Sequence, residues 1–346
     1  MAPQLPAQQP LIANRYRLAG HLGNGSFGEV WRGRDVQQDV EVAVKLVAPH
    51  VTLDEVLLET QLLTRLRDHE RVVTVRNVSI EPPVPFIVMD YLPNGSVEAR
   101  LESGQVSLVQ AVRWTRNALA GLAHAHAMGV LHRDIKPGNL LLDNEERAVL
   151  SDFGIAEDTI RGLLANPALY GFHAAPELLQ GEPSSVQTDI FAIGCTLYRL
   201  LAGEYPFASI DDIRNGVQPV DVHTLNPQIP LSLRNVVRAS LALDPDERYA
   251  DARRMSEALG RCGIRNSWAR LDDPDAIDAW SAETSDGVYD LRVTQRPRAG
   301  DFELRVRLDR GARPRQVLLT HHPSQGRALQ ARRTALVQVV EGQRPA

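Results

Sequence analysis

Lysine is almost absent from this chain. Of the 38 basic residues among 346, only Lys45 and Lys136 are lysines, and all the others are arginines. An ammonium group differs from a guanidinium in shape, hydration and donor geometry, so the two cations are not interchangeable where chemistry depends on them. A general bias towards arginine does not explain which two lysines remain. We therefore expect both positions to need an ammonium group.

Cysteines, long apolar runs and excess basic charge are also scarce. Cys195 and Cys262 lie far apart without metal-ligand spacing, so neither a disulfide framework nor a zinc site is indicated, and a reducing, cytoplasmic compartment is expected. The longest apolar stretch, 191–202, is short and contains Arg199, so no membrane span is expected. A net charge of −5 provides no overall basic field, and no nucleic-acid partner is expected.

The residue pattern divides the chain into a short arm, a β-rich region, a helical region and a tail. Residues 1–14 are rich in Pro, Gln and Ala and are expected to be a disordered arm. Short β-type runs then occur at 16–21, 29–34, 40–47, 72–80 and 86–89. Between the third and fourth runs, Thr52 and Glu55 form a capping box that predicts a helix to about Arg67. Helical patterns dominate from about Val97 to Leu259, which predicts an α+β fold with two lobes.

The last part of the chain has a different character. Phe302, Leu304, Val306 and Leu308 alternate with charged residues, which predicts a half-buried strand, and 288–294 is a plausible partner. Further short β-type runs lie at 317–319 and 336–340. We therefore expect residues 264–346 to form a small β-rich accessory domain.

A glycine-rich segment between the first two β-runs has the form G-x-G-x-x-G-x-V. It comprises Gly23, Asn24, Gly25, Ser26, Phe27, Gly28, Glu29 and Val30. Glycines allow backbone amides to approach phosphates closely, although glycine-rich hairpins are also common without a ligand. Ala43 and Lys45 follow in the third run, where a lysine directed beneath this loop can hold phosphates. Glu59 is the expected carboxylate partner of Lys45, with Glu55 as an alternative.

Two further motifs occur in a fixed order. Residues 132–139 match H-R-D-x-x-x-x-N, and Asp152 begins a D-F-G segment. With Ala175-Pro176-Glu177 after them, the chain resembles the eukaryotic-type (Hanks-type) Ser/Thr protein kinase family over about residues 16–263. The resemblance implies a two-lobed, protein-kinase-like fold, with the catalytic domain at 15–263.

The resemblance also implies roles for individual residues. Asp134 is expected to act as catalytic base and Lys136 to balance charge on the transferred phosphoryl group. Asn139 and Asp152 are expected to hold Mg²⁺, or Mn²⁺ in its place, beside ATP. Lys136, two residues after Asp134, resembles the Ser/Thr branch of the family.

Other matches concern the architecture and the adenine pocket. Asp189 resembles the residue that ties down the catalytic loop, and Arg248 resembles the arginine that pairs with Glu177. The resemblance further implies a hinge between the lobes, in which Met89 lines the adenine pocket and backbone groups of Asp90 and Leu92 meet the base.

The segment before Ala175 departs from the family pattern, which usually has Thr near Tyr170 and Tyr near His173. Between Gly154 and Ala175 the only hydroxyl residues are Thr159 and Tyr170. Two hypotheses remain open: regulation through Thr159, or activity without phosphorylation of this segment.

The leading interpretation is a Ser/Thr protein kinase that transfers the γ-phosphoryl group of ATP to a protein hydroxyl. A pseudokinase or nucleotide-binding scaffold is one alternative, and a small-molecule phosphotransferase is another. After Leu291 the chain contains 12 arginines against four acidic residues, so an acidic partner is one hypothesis and a solvated strand face is the other.

Overall fold

The computed structural model describes residues 11–25, 28–48, 57, 61, 64–80, 85–104, 106–153, 172–296, 299–311 and 314–345. The first lobe is a five-stranded antiparallel sheet in the order β1-β2-β3-β5-β4. Its strands are β1 (Tyr16–Gly25), β2 (Gly28–Asp35), β3 (Val40–Val47), β4 (Val75–Ser79) and β5 (Phe86–Asp90). The predicted strands are confirmed. The helix predicted from Thr52 lies largely outside the described residues, but residues 64–66 are helical.

The alternation of side chains in β3 gives this sheet two different faces. Val42 and Val44 pack with Tyr16, Phe86 and Val88 in a small cluster on the outer face. The intervening residues, Ala43, Lys45 and Val47, are also buried and face the second lobe. The sheet therefore carries a buried lysine on the side that faces the cleft between the lobes.

The folded part of the chain includes residues that the sequence analysis assigned to the arm. Ile12 and Tyr16 exchange two backbone hydrogen bonds, of 2.9 and 3.0 Å. Ile12 also packs against the outer cluster of the sheet. This local turn ties residues 12–16 to β1, while residues 1–10 lie outside the described part of the chain.

The second lobe is mainly helical, as predicted. Its elements are α1 (Val97–Glu102), α2 (Leu108–Ala127), β6 (Leu140–Leu142), β7 (Ala148–Leu150), α3 (Pro176–Leu179), α4 (Val186–Ala202), α5 (Ile210–Arg214), α6 (Val222–Leu225), α7 (Leu231–Ser240) and α8 (Ala252–Arg261). Capping boxes at Ser107 and Ser185 begin the two longest of these helices. Helix α4 is buried around nearly its whole circumference and forms the centre of the lobe.

Close packing of α4 against α7 depends on a glycine. A Cβ atom at Gly194 would lie 2.6 Å from the Oγ of Ser240, well inside the normal contact distance.

Of the helices described, none is both long enough and apolar enough to cross a membrane.

The C-terminal unit is a five-stranded antiparallel sheet with one long helix. Its elements are β8 (Ala269–Leu271), β9 (Asp278–Thr284), β10 (Gly287–Arg296), β11 (Asp301–Asp309), β12 (Arg315–His322) and α9 (Gln325–Val340). Strand β10 pairs with β11 from Val288 to Arg296, so the alternating pattern and its predicted partner are confirmed. The β-type run predicted at 336–340 is wrong, because these residues end α9. Buried Ala328, Ala335, Leu336, Val339 and Val340 follow helical spacing, and Ser324 caps the helix.

The C-terminal unit packs directly on the helical lobe. Trp268 is buried, and its backbone N–H donates to the Oε1 of Gln228 at 2.8 Å. The indole N–H of the same residue donates to the Leu336 carbonyl at 3.0 Å. The Oγ of Ser267 also accepts a hydrogen bond from the first backbone N–H of α2, at Leu108. The apolar cores of the lobe and the unit are continuous.

Candidate active site

The site centres on the loop between α2 and β6. Lys136 donates to both carboxylate oxygens of Asp134, with Nζ–Oδ distances of 3.0 and 2.8 Å. The amide Nδ2 of Asn139 donates to the Asp134 backbone carbonyl at 2.7 Å and to its Oδ2 at 2.8 Å. The structure therefore brings the three predicted residues into one hydrogen-bonded cluster, with the Asp134 carboxylate held from two sides.

Asp189 of α4 holds this loop in place. Its carboxylate accepts backbone N–H groups from His132 and Arg133, both at 2.9 Å, and lies 2.8 Å from the Nε2 of His126. Burial works to raise the pKa of Asp189, but the His126 and backbone contacts outweigh it and lower that pKa. Arg133 has a φ of 70°, a left-handed conformation that a non-glycine residue adopts at a cost. Anchoring by a buried carboxylate stabilises that conformation, as predicted for Asp189.

Lys45 and Asp152 connect the two lobes. The Nζ of Lys45 lies 2.9 Å from the Oδ1 of Asp152, and the lysine side chain is fully buried. Burial works to raise the pKa of Asp152, but the charge and hydrogen bond of Lys45, with a hydrogen bond from Ser151, lower that pKa. Asp152 is therefore ionised at neutral pH. Its φ of 56° is also left-handed, and strain of this kind is concentrated at functional sites.

Strand register places the predicted nucleotide-contacting residues of the first lobe on one face. Val30 pairs with Lys45 across β2 and β3, and Ala43 pairs with Met89 across β3 and β5. Ala43 and Met89 are nearly buried, so the face beneath the hairpin is apolar around one ammonium group. An apolar surface with one cation suits a flat base joined to phosphates.

The glycine-rich segment forms the hairpin between β1 and β2. Gly25 pairs with Gly28 at its tip, and Gly23 and Asn24 lie in β1 opposite Val30 and Glu29. Gly28 has a φ of 144°, and a Cβ there would lie 1.8 Å from the Leu46 carbonyl oxygen. Gly28 is therefore required by the close approach of the β3 backbone to the start of β2. Ser26 and Phe27 lie outside the described residues.

The hinge follows β5. The backbone N–H of Asp90 donates to the Thr74 carbonyl at 3.0 Å, and its side chain pairs with Arg76. That amide is already bonded within the lobe, and contact of backbone groups of Asp90 and Leu92 with a base stays a prediction. Leu92 follows in the half-buried segment between the lobes.

Several predicted residues cannot be placed. Glu59 and its alternative Glu55 lie outside the described residues, as do Gly154, Thr159 and Tyr170. Their predicted roles stay predictions.

The donor set fits a hard divalent cation. Both amide protons of Asn139 point at Asp134, so its Oδ1 is the atom that can bind a cation, and Asp152 supplies an ionised carboxylate. Mg²⁺ is typically bound by one or two such oxygens together with substrate phosphates and water. Within the described ranges, no cluster of three or more His, Cys, Asp or Glu forms a separate metal site.

An aromatic group beside the site was not predicted from sequence. The Phe172 ring stacks on Tyr205 at 4.9 Å, and His173 meets the same ring edge-on at 5.1 Å. The Arg199 guanidinium lies over the Tyr205 ring, 4.6 Å from its centroid. Burial, with the nearby cations Lys136 and Arg199, lowers the pKa of His173 to about 3. In the sequence, the one sign of this aromatic group was that His173 stands near the place where the family usually has Tyr.

A buried ion pair lies below the site. Arg248 donates to both carboxylate oxygens of Glu177, at 2.7 and 2.9 Å, and its side chain is fully buried. It also donates to the carbonyls of Ala242, Gln187 and Leu243. The predicted pairing of Glu177 with Arg248 is confirmed.

The site lies between two lobes and holds two lysine–carboxylate pairs, Lys45 with Asp152 and Lys136 with Asp134. This arrangement defines a phosphotransferase with its nucleotide site between the lobes. The chain belongs to the protein kinase family, because the model described as the protein kinase domain matches residues 16–259. Curated relatives with serine/threonine-protein kinase names include PknL, PknA and PrkC. PknL of Mycobacterium tuberculosis is 27% identical over 312 residues, which covers 85% of this chain and 77% of the relative.

The other two relatives are matched over less of their length. PknA of Corynebacterium glutamicum is 31% identical, covering 72% of this chain and 57% of the relative. PrkC of Bacillus subtilis is 28% identical, covering 70% of this chain and 40% of the relative. The chain thus spans less than two thirds of several of the relatives that it matches. The catalytic domain is of the Ser/Thr protein kinase class, a class that uses ATP and a divalent metal ion.

Proposed function

We propose that this chain transfers the γ-phosphoryl group of Mg·ATP to Ser or Thr hydroxyls of a protein. The observation that carries the proposal is the cluster of Asp134, Lys136 and Asn139, together with the Lys45–Asp152 pair that connects the two lobes. Phosphoryl transfer depends mainly on positioning and charge neutralisation, and these residues supply both.

Each residue has a role that follows from its contacts. The Asp134 carboxylate is an acceptor held in one orientation, so it can orient an incoming hydroxyl and take its proton. Lys136 lies beside that carboxylate and can neutralise an oxygen of the transferred group. Lys45 is directed by β3 towards the α- and β-phosphates. Asn139 and Asp152 would hold Mg²⁺ or Mn²⁺, which would supply positive charge beside the phosphates.

The test is transfer of label from ATP, with Mg²⁺, to the chain itself and to a generic Ser/Thr protein substrate. Wild type is compared with Asp134→Asn, which removes the acceptor charge while keeping the side-chain size. We expect label on Ser and Thr in wild type and a loss of about 10³-fold in the variant, within the range for removing a base and its charge. The matched control is Asp246→Asn on the exposed surface of the same lobe, which should retain the wild-type rate.

Two results would contradict the proposal. Nucleotide binding without transfer by wild type, across several protein substrates, would establish a binding scaffold. Label found on a small molecule and never on protein would establish a different phosphotransferase.

We also infer a cytoplasmic location. The inference rests on Cys195 and Cys262, which are both buried and unpaired thiols, as expected in a reducing compartment. Fractionation of cells that express the full-length protein tests it, and recovery in the secreted fraction would contradict it.

A further inference from the structure

A large cleft lies between the helical lobe and the C-terminal unit, away from the nucleotide site. Its volume is about 960 Å³. One wall comes from α1, the end of α4, and α6, and the other comes from β8, β9 and α9. The kinase family model ends at residue 259, so the second wall lies outside the part of the chain that it matches. The cleft is therefore a feature of this chain's own C-terminal unit.

The cleft is lined by more positive than negative charge. Arg199, Arg270, Arg332 and Arg333 line it, whereas Glu102 is the one carboxylate among the described lining residues. Carboxylates that pack behind the lining residues neutralise some of this positive charge. Arg199 pairs with Glu98 at 3.0 Å, and Arg270 and Arg332 share the buried carboxylate of Asp278. Two cations on one carboxylate leave a net positive charge on this wall.

Arg333 contributes charge that no carboxylate is seen to offset among its described contacts. Its Nη2 contacts the His223 ring, 2.7 Å from Nδ1 and closer still to Nε2, and that Nε2 lies 2.7 Å from the Ile229 carbonyl oxygen. Burial and the Arg333 charge lower the pKa of His223, so the ring is a neutral acceptor at neutral pH. The guanidinium is oriented by a neutral partner and keeps its full charge for a ligand.

Elsewhere in the C-terminal unit, Arg292 and Arg305 of the sheet have acidic neighbours. Arg292 pairs with Asp273 at 3.1 Å and with Asp290 at 3.2 Å, and Arg305 pairs with Glu303. These pairs form a largely neutralised strand face, as the solvated-face hypothesis expects. Arg333 belongs to the arginine-rich part of the chain after Leu291, and together with Arg270 it places positive charge on the lining of this cleft.

Apolar side chains lie beside these cations. Leu225 lines the cleft and is 41% exposed, and Val106, Pro227 and Leu329 line it as well. A bare inorganic anion would leave these side chains in water. A polypeptide with carboxylates and aliphatic side chains would contact both kinds of surface.

We propose that this cleft binds an acidic, leucine-containing segment of a partner protein, with its carboxylates at Arg333 and Arg270. The interaction does not depend on phosphoryl transfer, so peptide binding and catalysis are tested separately. Its contribution to specificity is electrostatic, and it weakens as salt concentration rises.

Fluorescence anisotropy with the full-length chain tests this proposal. The probe is a fluorescein-labelled peptide that repeats Glu-Leu-Glu-Ala, compared with the same peptide carrying Gln at every Glu. We expect the acidic peptide to bind and the Gln peptide to bind at least about tenfold more weakly, because each lost carboxylate contact is charge-assisted. A peptide that repeats Glu-Gly-Glu-Ala should also bind more weakly than the leucine peptide.

Matched variants locate the site. Arg333→Gln should weaken binding of the acidic peptide about tenfold, and its amide can still donate to His223. Arg270→Gln, at a largely exposed position, should weaken binding by up to about fivefold without disturbing the fold. The control is Arg327→Gln, the same charge change on the exposed side of α9, which should alter binding less than about twofold.

Other results would overturn the proposal. Equal losses in Arg327→Gln and Arg333→Gln would mean general attraction to a basic surface. Equal binding of the acidic and Gln peptides would remove the role of charge. Stronger competition by a single-stranded oligonucleotide of equal charge than by unlabelled peptide would identify a different class of ligand.

Discussion

The catalytic cleft and the base of the helical lobe use different cations for different purposes. The cleft holds both lysines, and each is seen paired with a carboxylate, Lys45 with Asp152 and Lys136 with Asp134. At the base of the lobe, Arg248 spreads five hydrogen bonds over Glu177 and three backbone carbonyls. The ammonium group is a compact charge that can be shared with a phosphate oxygen, whereas the guanidinium fills a fixed set of acceptors. Position in the structure therefore decides which cation is needed.

The largest expected effect separates catalysis from stability. Asp152→Asn removes the ionised carboxylate that faces Lys45, and phosphoryl transfer should fall by about 10³-fold, with a smaller loss of stability than at Glu177 because the Asp152 side chain is 31% exposed and water can reach it. Glu177→Gln should act mainly on stability. It should lower the free energy of unfolding by about 3 kcal/mol, because Arg248 is left buried without its counter-charge. Parallel urea titrations and transfer assays measure both. A comparable stability loss in the two variants would break the comparison.

Lys45→Arg asks whether the catalytic cleft requires an ammonium group. The side chain at this position is fully buried, so a planar guanidinium has no room to adopt the same contact with Asp152. We expect about a hundredfold loss of transfer rate, measured under saturating ATP with circular dichroism as the check on folding. Wild-type activity in this variant would show that any cation suffices.

Arg248→Lys makes the opposite exchange at the base of the lobe. The charge is kept, but a lysine cannot reach all the acceptors that surround Arg248. We expect the free energy of unfolding to fall by about 2 kcal/mol, since buried carbonyls lose their donors. Urea titration measures this, and an unchanged midpoint would refute the claim that the guanidinium geometry matters.

The smallest expected effect concerns pH. The pKa of buried His173 lies at about 3 against 6.5 for an ordinary histidine, so between these values the unfolded chain binds one more proton than the folded chain. The free energy of unfolding therefore falls as pH drops below 6.5. His173→Phe should reduce that slope by up to about 1.4 kcal/mol per pH unit, measured by urea titration at several pH values. An unaltered slope would mean that His173 does not remain neutral in the folded chain.

Sequence motifs predicted which residues come together in the loop between α2 and β6, because spacing along the chain already limits them. Asp134, Lys136 and Asn139 lie within six residues, so a single loop brings them together. The pairing of Glu177 with Arg248 came from resemblance alone, since 71 residues separate them and no local rule joins them. The helical end of the chain was missed because the run 336–340 is β-branched and short, and the rest of α9 carries few apolar residues.

The sequence by itself determined the family, the order of the lobes and the residues of the catalytic loop, because these depend on motifs and on local hydrophobic periodicity. Only the tertiary structure decided which side of β3 faces the cleft between the two lobes, how Asp189 anchors the catalytic loop, and where the C-terminal unit packs. These features depend on contacts between residues far apart in the chain. Packing of the unit against α4 and α6 also decided that Arg333 faces a neutral histidine rather than a carboxylate, which no pattern of arginines along the chain could indicate.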